Sequence, residues 1–311
     1  MSGPRLAAVL SAGLIASCNL VVSLDDLQDG AGGASSGTQS IAATATNATS
    51  TASATATVAS TTAAATGGGG GGGEAPGYDD CVESLGPVVR LRLDDAGGDS
   101  ETNLGAWGGS ADYTGGRTSE APLAAGSLAA ASFAPDGVLQ LAAQGGFFGG
   151  SQAFTIELWF QPPADYSEEV AALITGTDGF VLRIEKRLDA MGLDSIRFRF
   201  FGNGGGTDRV VIENLDLSGG GVHHVVAVYQ EAPFMSGEAD DLQIYVDGAP
   251  PTNLATGTET AMPALNGSLT FGNGFAGPID ELSIYPAALD PAAIEALHTL
   301  GMGQSATCPP P

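Results

Sequence analysis

The chain has 311 residues, of which 47 are glycine, with a hydrophobic share of 43% and only 10 basic against 35 acidic residues. Such a composition suits one large β domain with many turns joined to a low-complexity tract. The net charge of −25 argues against a nucleic-acid partner, whose phosphates need clustered Lys and Arg.

Residues 1–18 read as a targeting segment and stand outside the fold. Arg5 supplies a short positive region, and Leu6 to Ala16 form an apolar run too short to span a bilayer. The run ends in Ile15-Ala-Ser-Cys18, where small residues before a cysteine resemble the lipobox of bacterial lipoproteins. That resemblance implies cleavage before Cys18 and acylation of its thiol. The protein is then expected at the bacterial cell envelope, lipid-anchored at the outer membrane or cell surface. An ordinary signal peptide with an incidental cysteine is the alternative.

Residues 19–76 open with NLVVSLDDLQD, which could lie against lipid or serve as a spacer, and continue as Ala, Ser, Thr and Gly up to the seven glycines Gly67 to Gly73. No periodic apolar face is present to offset the entropy of ordering, so this stretch is expected to be a disordered tether.

From residue 77 to 308 the pattern is that of strands. Val88 to Leu93 alternates, Gly105 to Gly126 is turn-rich and poorly defined, and Val138 to Leu141 begins a new run. Further strands are expected at Phe154 to Phe160, Val170 to Ile174, Phe180 to Glu185, Ser195 to Phe201, Arg209 to Glu213 and Val222 to Tyr229. In one of them Phe198 and Phe200 share a face while Arg197 and Arg199 share the other. The spacing, with Gly and Asp between runs, predicts antiparallel hairpins and Greek-key crossings; no β-helix-β repeat supports a parallel sheet. Two last strands, Gly267 to Gly274 and Ile279 to Tyr285, precede a change of period from two to about 3.6. There Asp290 is placed to cap a helix, Pro291 to start it, Leu289 to staple to Ile294, and Gly301 to give a left-handed stop. A helix of about ten residues is too short to stand alone and must dock on a sheet.

Four blocks in order carry a family resemblance: Phe154-Thr-Ile-Glu-Leu-Trp-Phe-Gln-Pro162, Val222-His-His-Val-Val-Ala-Val-Tyr229, Leu242-Gln-Ile-Tyr-Val-Asp-Gly248, and the Ile279-Asp-Glu strand with its closing helix. Together they resemble laminin G-like, concanavalin A-like domains. Val222 stands where that family usually has tryptophan. The resemblance implies an all-β, two-sheet antiparallel jelly-roll sandwich with a short C-terminal helix.

Cys81 and Cys308 lie at the two ends of the globular part, and exported sandwiches bring their termini together, so a bridge between them is expected. Free buried thiols are the alternative. The resemblance also implies a calcium site: Asp280 is nominated, with an aspartate of the loop at Asp94, Asp95 and Asp99, chiefly Asp94, as partner. Turn capping, or pairing of Asp280 and Glu281 with Arg90 or Arg92, remains the other reading. Asp136, Asp240, Asp241 and Asp247 read as turn residues.

Related jelly rolls include glycoside hydrolases, which need two carboxylates across the scissile bond. Asp280 and Glu281 are adjacent on a strand and so should face opposite ways, and Glu157 is alone; no catalytic residue is assigned. His223 and His224 should likewise diverge, one buried and one exposed. Among loop aromatics, Trp107, Tyr113, Phe147, Phe148 and Tyr166, the pair Phe147 and Phe148 is the candidate ligand platform. The expected function is noncatalytic binding, of a glycan or of an envelope or extracellular protein.

Overall fold

The computed structural model describes residues 77–94, 97–142, 153–166, 170–176, 179–185, 194–200, 209–217, 219–230, 241–256 and 268–310. Contacts divide the chain into Met1–Gly68 and Gly69–Pro311, and every described residue belongs to the second unit. Cys18, the tether, Phe147 and Phe148 therefore lie outside the described residues.

Helix α1 (Tyr78–Ser84) comes first, followed by β1 (Val89–Leu91), β2 (Ser100–Thr102), β3 (Ser110–Thr114), β4 (Arg117–Glu120), β5 (Ala130–Phe133), β6 (Val138–Leu141) and β7 (Ala153–Phe160). Then come β8 (Val170–Gly176), β9 (Phe180–Glu185), β10 (Ser195–Phe200), β11 (Arg209–Asn214), β12 (His223–Gln230), β13 (Asp241–Val246), β14 (Leu269–Phe271), β15 (Gly277–Tyr285) and α2 (Pro291–Gly301). One sheet runs β13-β12-β7-β15-β5-β4, with β1 also on β15; the other runs β11-β10-β9-β8-β14-β6-β3-β2. The pairings are antiparallel, and neighbours far apart in sequence, such as β7 with β12 and β15, give the crossovers of a jelly roll.

Alternation explains the sandwich. Phe154, Ile156, Leu158 and Phe160 of β7 point between the sheets, where they meet Phe180, Leu182 and Ile184 of β9 and Ile196 and Phe198 of β10. The rings of Phe154 and Phe180 lie 5.7 Å apart and those of Phe180 and Phe198 6.0 Å apart. Strand β7 is nonetheless buried on both faces, because the two helices cover the outside of its sheet. A second apolar cluster there joins Tyr78, Cys81 and Val82 of α1 with Trp159 of β7 and Leu297 and Leu300 of α2.

Both helices are tied down. Asp290 Oδ1 accepts the Ala293 amide at 2.7 Å, and Leu289 packs beside Ile294, as the sequence predicts. The left-handed residue, however, is Gly303, at φ 72°, two positions beyond Gly301. Gly301 acts through its size instead, since a Cβ there would collide with the Trp159 ring, and its hydrogen lets α2 lie against the sheet. Helix α1, which was not expected, is fixed by Arg90, whose guanidinium holds Asp79 at 2.7 Å and Glu83 at 2.9 Å. Cys81 of α1 is bridged to Cys308 in the C-terminal tail across a separation of 227 residues. In the chain-entropy account such a closure stabilises by about 5 kcal/mol.

Candidate functional site

Three places gather polar chemistry. The first lies under the helices. Glu157, fully buried, receives the hydroxyls of Tyr78 at 2.8 Å and of Tyr285, and the Nε2 of His224 lies 3.1 Å away. Trp159 Nε1 in turn donates to the Tyr78 oxygen at 3.2 Å. Burial first, then the charge of Glu157, pushes both tyrosines well above the usual phenol range. A buried carboxylate is tolerated because its oxygens are satisfied in this way. His224 stacks on Trp159 at 4.6 Å, and Trp159 on His298 at 5.7 Å.

This overturns the expectation that one of the paired histidines is exposed. His224 faces the helices, and His223 is also buried, held between Asp247 Oδ2 at 3.1 Å and the Asp216 carbonyl at 3.1 Å. Asp247 sits in the predicted turn, at φ 52°, and its other oxygen accepts the His224 amide at 2.9 Å.

The second place is where the sequence puts Asp94 and Asp280, and the structure does bring them together. Both Oδ1 atoms lie 2.9 Å from the Ser127 hydroxyl. Asp94 Oδ1 also accepts the amides of Leu128 and Ala129, at 2.8 and 3.0 Å, and its Oδ2 rests 3.0 Å from Arg92 Nε. Asp280 Oδ2 accepts Leu123 and Ala124, and its Oδ1 accepts the Glu281 amide at 3.0 Å. Burial pushes Asp280 up to about 6 despite these bonds. Glu281 does not diverge from Asp280 as adjacent strand residues should. A bulge between Asp280 and Ser283, with Glu281 at φ 46°, breaks the alternation and leaves Glu281 buried 3.3 Å from Arg92. Burial, then the neighbouring Asp280, raises Glu281 to about 8.

Calcium needs several oxygens with open lone pairs turned to one point. Here Asp94 Oδ1 and both Asp280 oxygens already accept backbone amides, and Arg92 places its positive charge against Asp94 Oδ2 and Glu281. Among the described residues no group of three or more His, Cys, Asp or Glu converges as a metal shell. The set does not fit the ion that the family resemblance implies: Asp280 takes the capping role, accepting the amides of Leu123 and Ala124, while Arg92 pairs with Glu281 and Asp94.

The third place is the loop rim. A cavity of about 400 Å³ opens between the loop after β7, the approach to β12 and the start of β15. Gln161, Pro162, Ala164, Gly220, Gly277 and Pro278 line it. Gln161 is held by its Nε2, which donates to the Gly220 carbonyl at 2.6 Å, and Gly220 adopts φ 67° in close contact with Ala164. No single residue pattern announces this cavity, since three distant loops build it. The other aromatics named from sequence serve packing: Tyr166 is buried in the core, Trp107 packs on it, and Tyr113 lies in β3 with Arg117 over its ring at 3.6 Å.

A covered two-sheet antiparallel sandwich closed by a terminal helix defines a concanavalin A-like jelly roll. The family model Laminin G 3, described as the concanavalin A-like lectin/glucanases superfamily, matches residues 133–295, and the chain belongs to that family. No curated protein sequence matches this chain. Among solved structures it is similar to the binding domain of botulinum neurotoxin DC in complex with SialylT, at 11% identity and a TM-score of 0.52. It is equally similar to the same domain in complex with rat synaptotagmin II, at 11% and 0.52, and to the botulinum neurotoxin serotype C1 binding domain, at 11% and 0.51. Each alignment covers 70% of this chain and 51% or 52% of the other, so the chain spans about half the length of these structures. Likeness at that identity shows the fold.

Proposed function

We propose that this chain is a noncatalytic carbohydrate-binding module, held at the bacterial cell envelope by an acylated Cys18 and the tether of residues 19–76. The observation that carries the reading is the rim cavity. Its volume, about 400 Å³, falls in the range of small-molecule sites, and its lining is prolines, glycines and alanines with Ser132 and the pinned amide of Gln161. Neutral sugar rings, with hydroxyls around an apolar ring face, suit such a wall.

A binding role is supported by the fate of the carboxylates. Glu157, Asp280 and Glu281 are fully buried, and hydrolysis of a glycosidic bond needs a carboxylate pair that reaches the sugar. The neighbouring structures named above are binding domains, which supports a module that recognises, while the family itself spans lectins and glucanases.

The test is a panel of neutral and acidic polysaccharides against the full chain, scored by affinity electrophoresis and calorimetry, with Ala164→Trp as the comparison. Ala164 is exposed at the cavity mouth, so the bulkier ring should abolish binding while the unfolding transition stays where it was. Binding unchanged in Ala164→Trp would remove the cavity from the account; no binding to any glycan would remove the function.

A further inference from the structure

A second cavity, of about 330 Å³, opens on the outer face of the first sheet, between β12, β13 and the segment that enters α2. Val228, Gln230, Gln243 and Tyr245 come from the two strands, and residues 288–291 form the facing wall. The rim cavity touches Gly220, before β12 begins, whereas this one meets Val228 and Gln230 at the end of that strand. Eight residues of strand at about 3.3 Å each put the two cavities about 25 Å apart.

The fold fixes the lining without help from a ligand. Thr155 Oγ1 donates to the Ala287 carbonyl at 2.8 Å and accepts the Leu289 amide at 2.9 Å, which pins the wall to β7. The Tyr245 hydroxyl donates to Gln243 Oε1 at 3.0 Å, and Asp290 Oδ1 is held by the Ala293 amide at 2.7 Å. Burial, then the charge of Asp290, pushes Tyr245 above the usual phenol range and so keeps that proton in place. These bonds leave Gln243 Nε2, the exposed amide of Gln230 and Asp290 Oδ2 available in the lining.

Donors and acceptors thus stand above an apolar floor of Val228, Ala288 and Leu289, which belong to or pack on the cluster around Ile294. Among the described residues that line the cavity there is neither Lys nor Arg, and Asp290 alone is charged. A phosphate or carboxylate would meet that charge with no cation to offset it. A purely aliphatic ligand would cover the amides without replacing their bonds to water. Hydroxyls both give and take hydrogen bonds. A neutral sugar therefore donates to Asp290 and accepts from the glutamines, while the C–H face of its ring rests on the floor.

Resting on the glycan reading above, we propose that the groove between β12, β13 and the start of α2 is a second sugar site, which takes a neutral sugar residue of a glycan separately from the rim cavity. Gln243 and Asp290 set its selectivity, one as donor and the other as acceptor to hydroxyls of the same ring. The separation from the rim keeps a short oligosaccharide from reaching both places, so each chain holds two such molecules at once.

The experiment titrates cellotriose, mannotriose, xylotriose and maltotriose into the full chain by calorimetry, with trigalacturonate as the charged control. Wild type is compared with Ala164→Trp at the rim and with Gln243→Leu and Gln230→Ala in the groove, each checked for an unchanged melting temperature. Gln230 ends β12 with an exposed side chain, so Gln230→Ala serves if Gln243→Leu disturbs its strand. The proposal expects two molecules of at least one neutral trisaccharide per chain and one in Ala164→Trp. Adding Gln243→Leu to Ala164→Trp should weaken that remaining site at least about fivefold, and trigalacturonate should not occupy it. A stoichiometry of one that Ala164→Trp abolishes overturns the groove and leaves the rim site standing. A stoichiometry of one that survives Ala164→Trp and is weakened by Gln243→Leu upholds the groove and overturns the rim site instead. Binding in Ala164→Trp that neither glutamine variant weakens, or that trigalacturonate matches, overturns the groove as a neutral-sugar site. Failure of every saccharide here and in the polysaccharide panel overturns both.

Discussion

The outer faces of the two sheets carry the same kinds of side chain under different cover. On the first sheet, Glu157, His224 and Tyr285 lie beneath α1 and α2 and satisfy one another with help from Tyr78. On the second, Arg183, Glu185 and Arg197 make comparable ion pairs while still partly in water. What covers a polar group decides how strongly its pairing counts: sealed, it acts at full strength on the fold, and half-open, water screens it. Substitutions should separate the two faces severalfold in stability.

The sharpest break is Glu157→Ala. It leaves two tyrosine hydroxyls and an imidazole without their acceptor inside a dry cluster, and should cost about 3–5 kcal/mol in urea unfolding. A loss under about 1 kcal/mol would mean that the helices give way and let water in. Next in size is Gly301→Ala, where the added methyl meets Trp159; overpacking should outweigh the gain in helix propensity and cost about 1–3 kcal/mol.

The pH dependence tests the bulge. Glu281 titrates at about 8 in the folded chain and Asp280 at about 6, each above its value in the unfolded chain. The folded protein therefore holds more protons across that window, and the stability linked to them is complete below the unfolded values and is lost as pH rises through 6 and then 8. Melting temperature should fall between about pH 5 and about pH 8.5, and Glu281→Gln should flatten the upper part of that slope. An unchanged slope in the variant would assign the effect to overall charge repulsion instead.

On the half-covered outer face of the second sheet, Arg199→Gln should cost about 1 kcal/mol or less. A much larger loss would show that the face is structural after all and would blur the contrast. Smallest of all is the effect expected from calcium. Because Asp94 and Asp280 accept amides and Arg92 already pairs with Asp94 and Glu281, addition of calcium or chelator should leave the melting temperature where it is, and a calcium-dependent rise would restore the ion.

The sequence could be read furthest where one local rule acted alone. Alternation located β7, β12 and β15, and Asp290, Pro291 and Leu289 marked the start of α2 because capping involves only near neighbours. Cys81 and Cys308 were paired from their places at the two ends of the domain. Reading stopped where two elements had to meet. The run from Gly105 to Gly126 looked like turns, yet it holds β3 and β4, which belong to different sheets, so no hairpin pattern marks them. Helix α1 is only seven residues, although Tyr78, Val82 and Leu85 at helical spacing could have signalled it. Strict alternation also misplaced Glu281, since a bulge adds a residue without any sequence marker beyond the positive φ it demands. His224 and Glu157 lie 67 positions apart, and the helices that seal them cannot be inferred from either strand.

The stack of His224, Trp159 and His298 gives the molecule an optical consequence. One of only two tryptophans in the chain sits beside two imidazoles, one on β12 and one on α2, whose own rings lie 5.6 Å apart. Protonated imidazole quenches indole emission and neutral imidazole does so weakly, and burial holds His298 below its usual value. Trp159 fluorescence thus serves as a gauge of whether the terminal helix is seated, readable without any label while the rest of the sandwich stays intact.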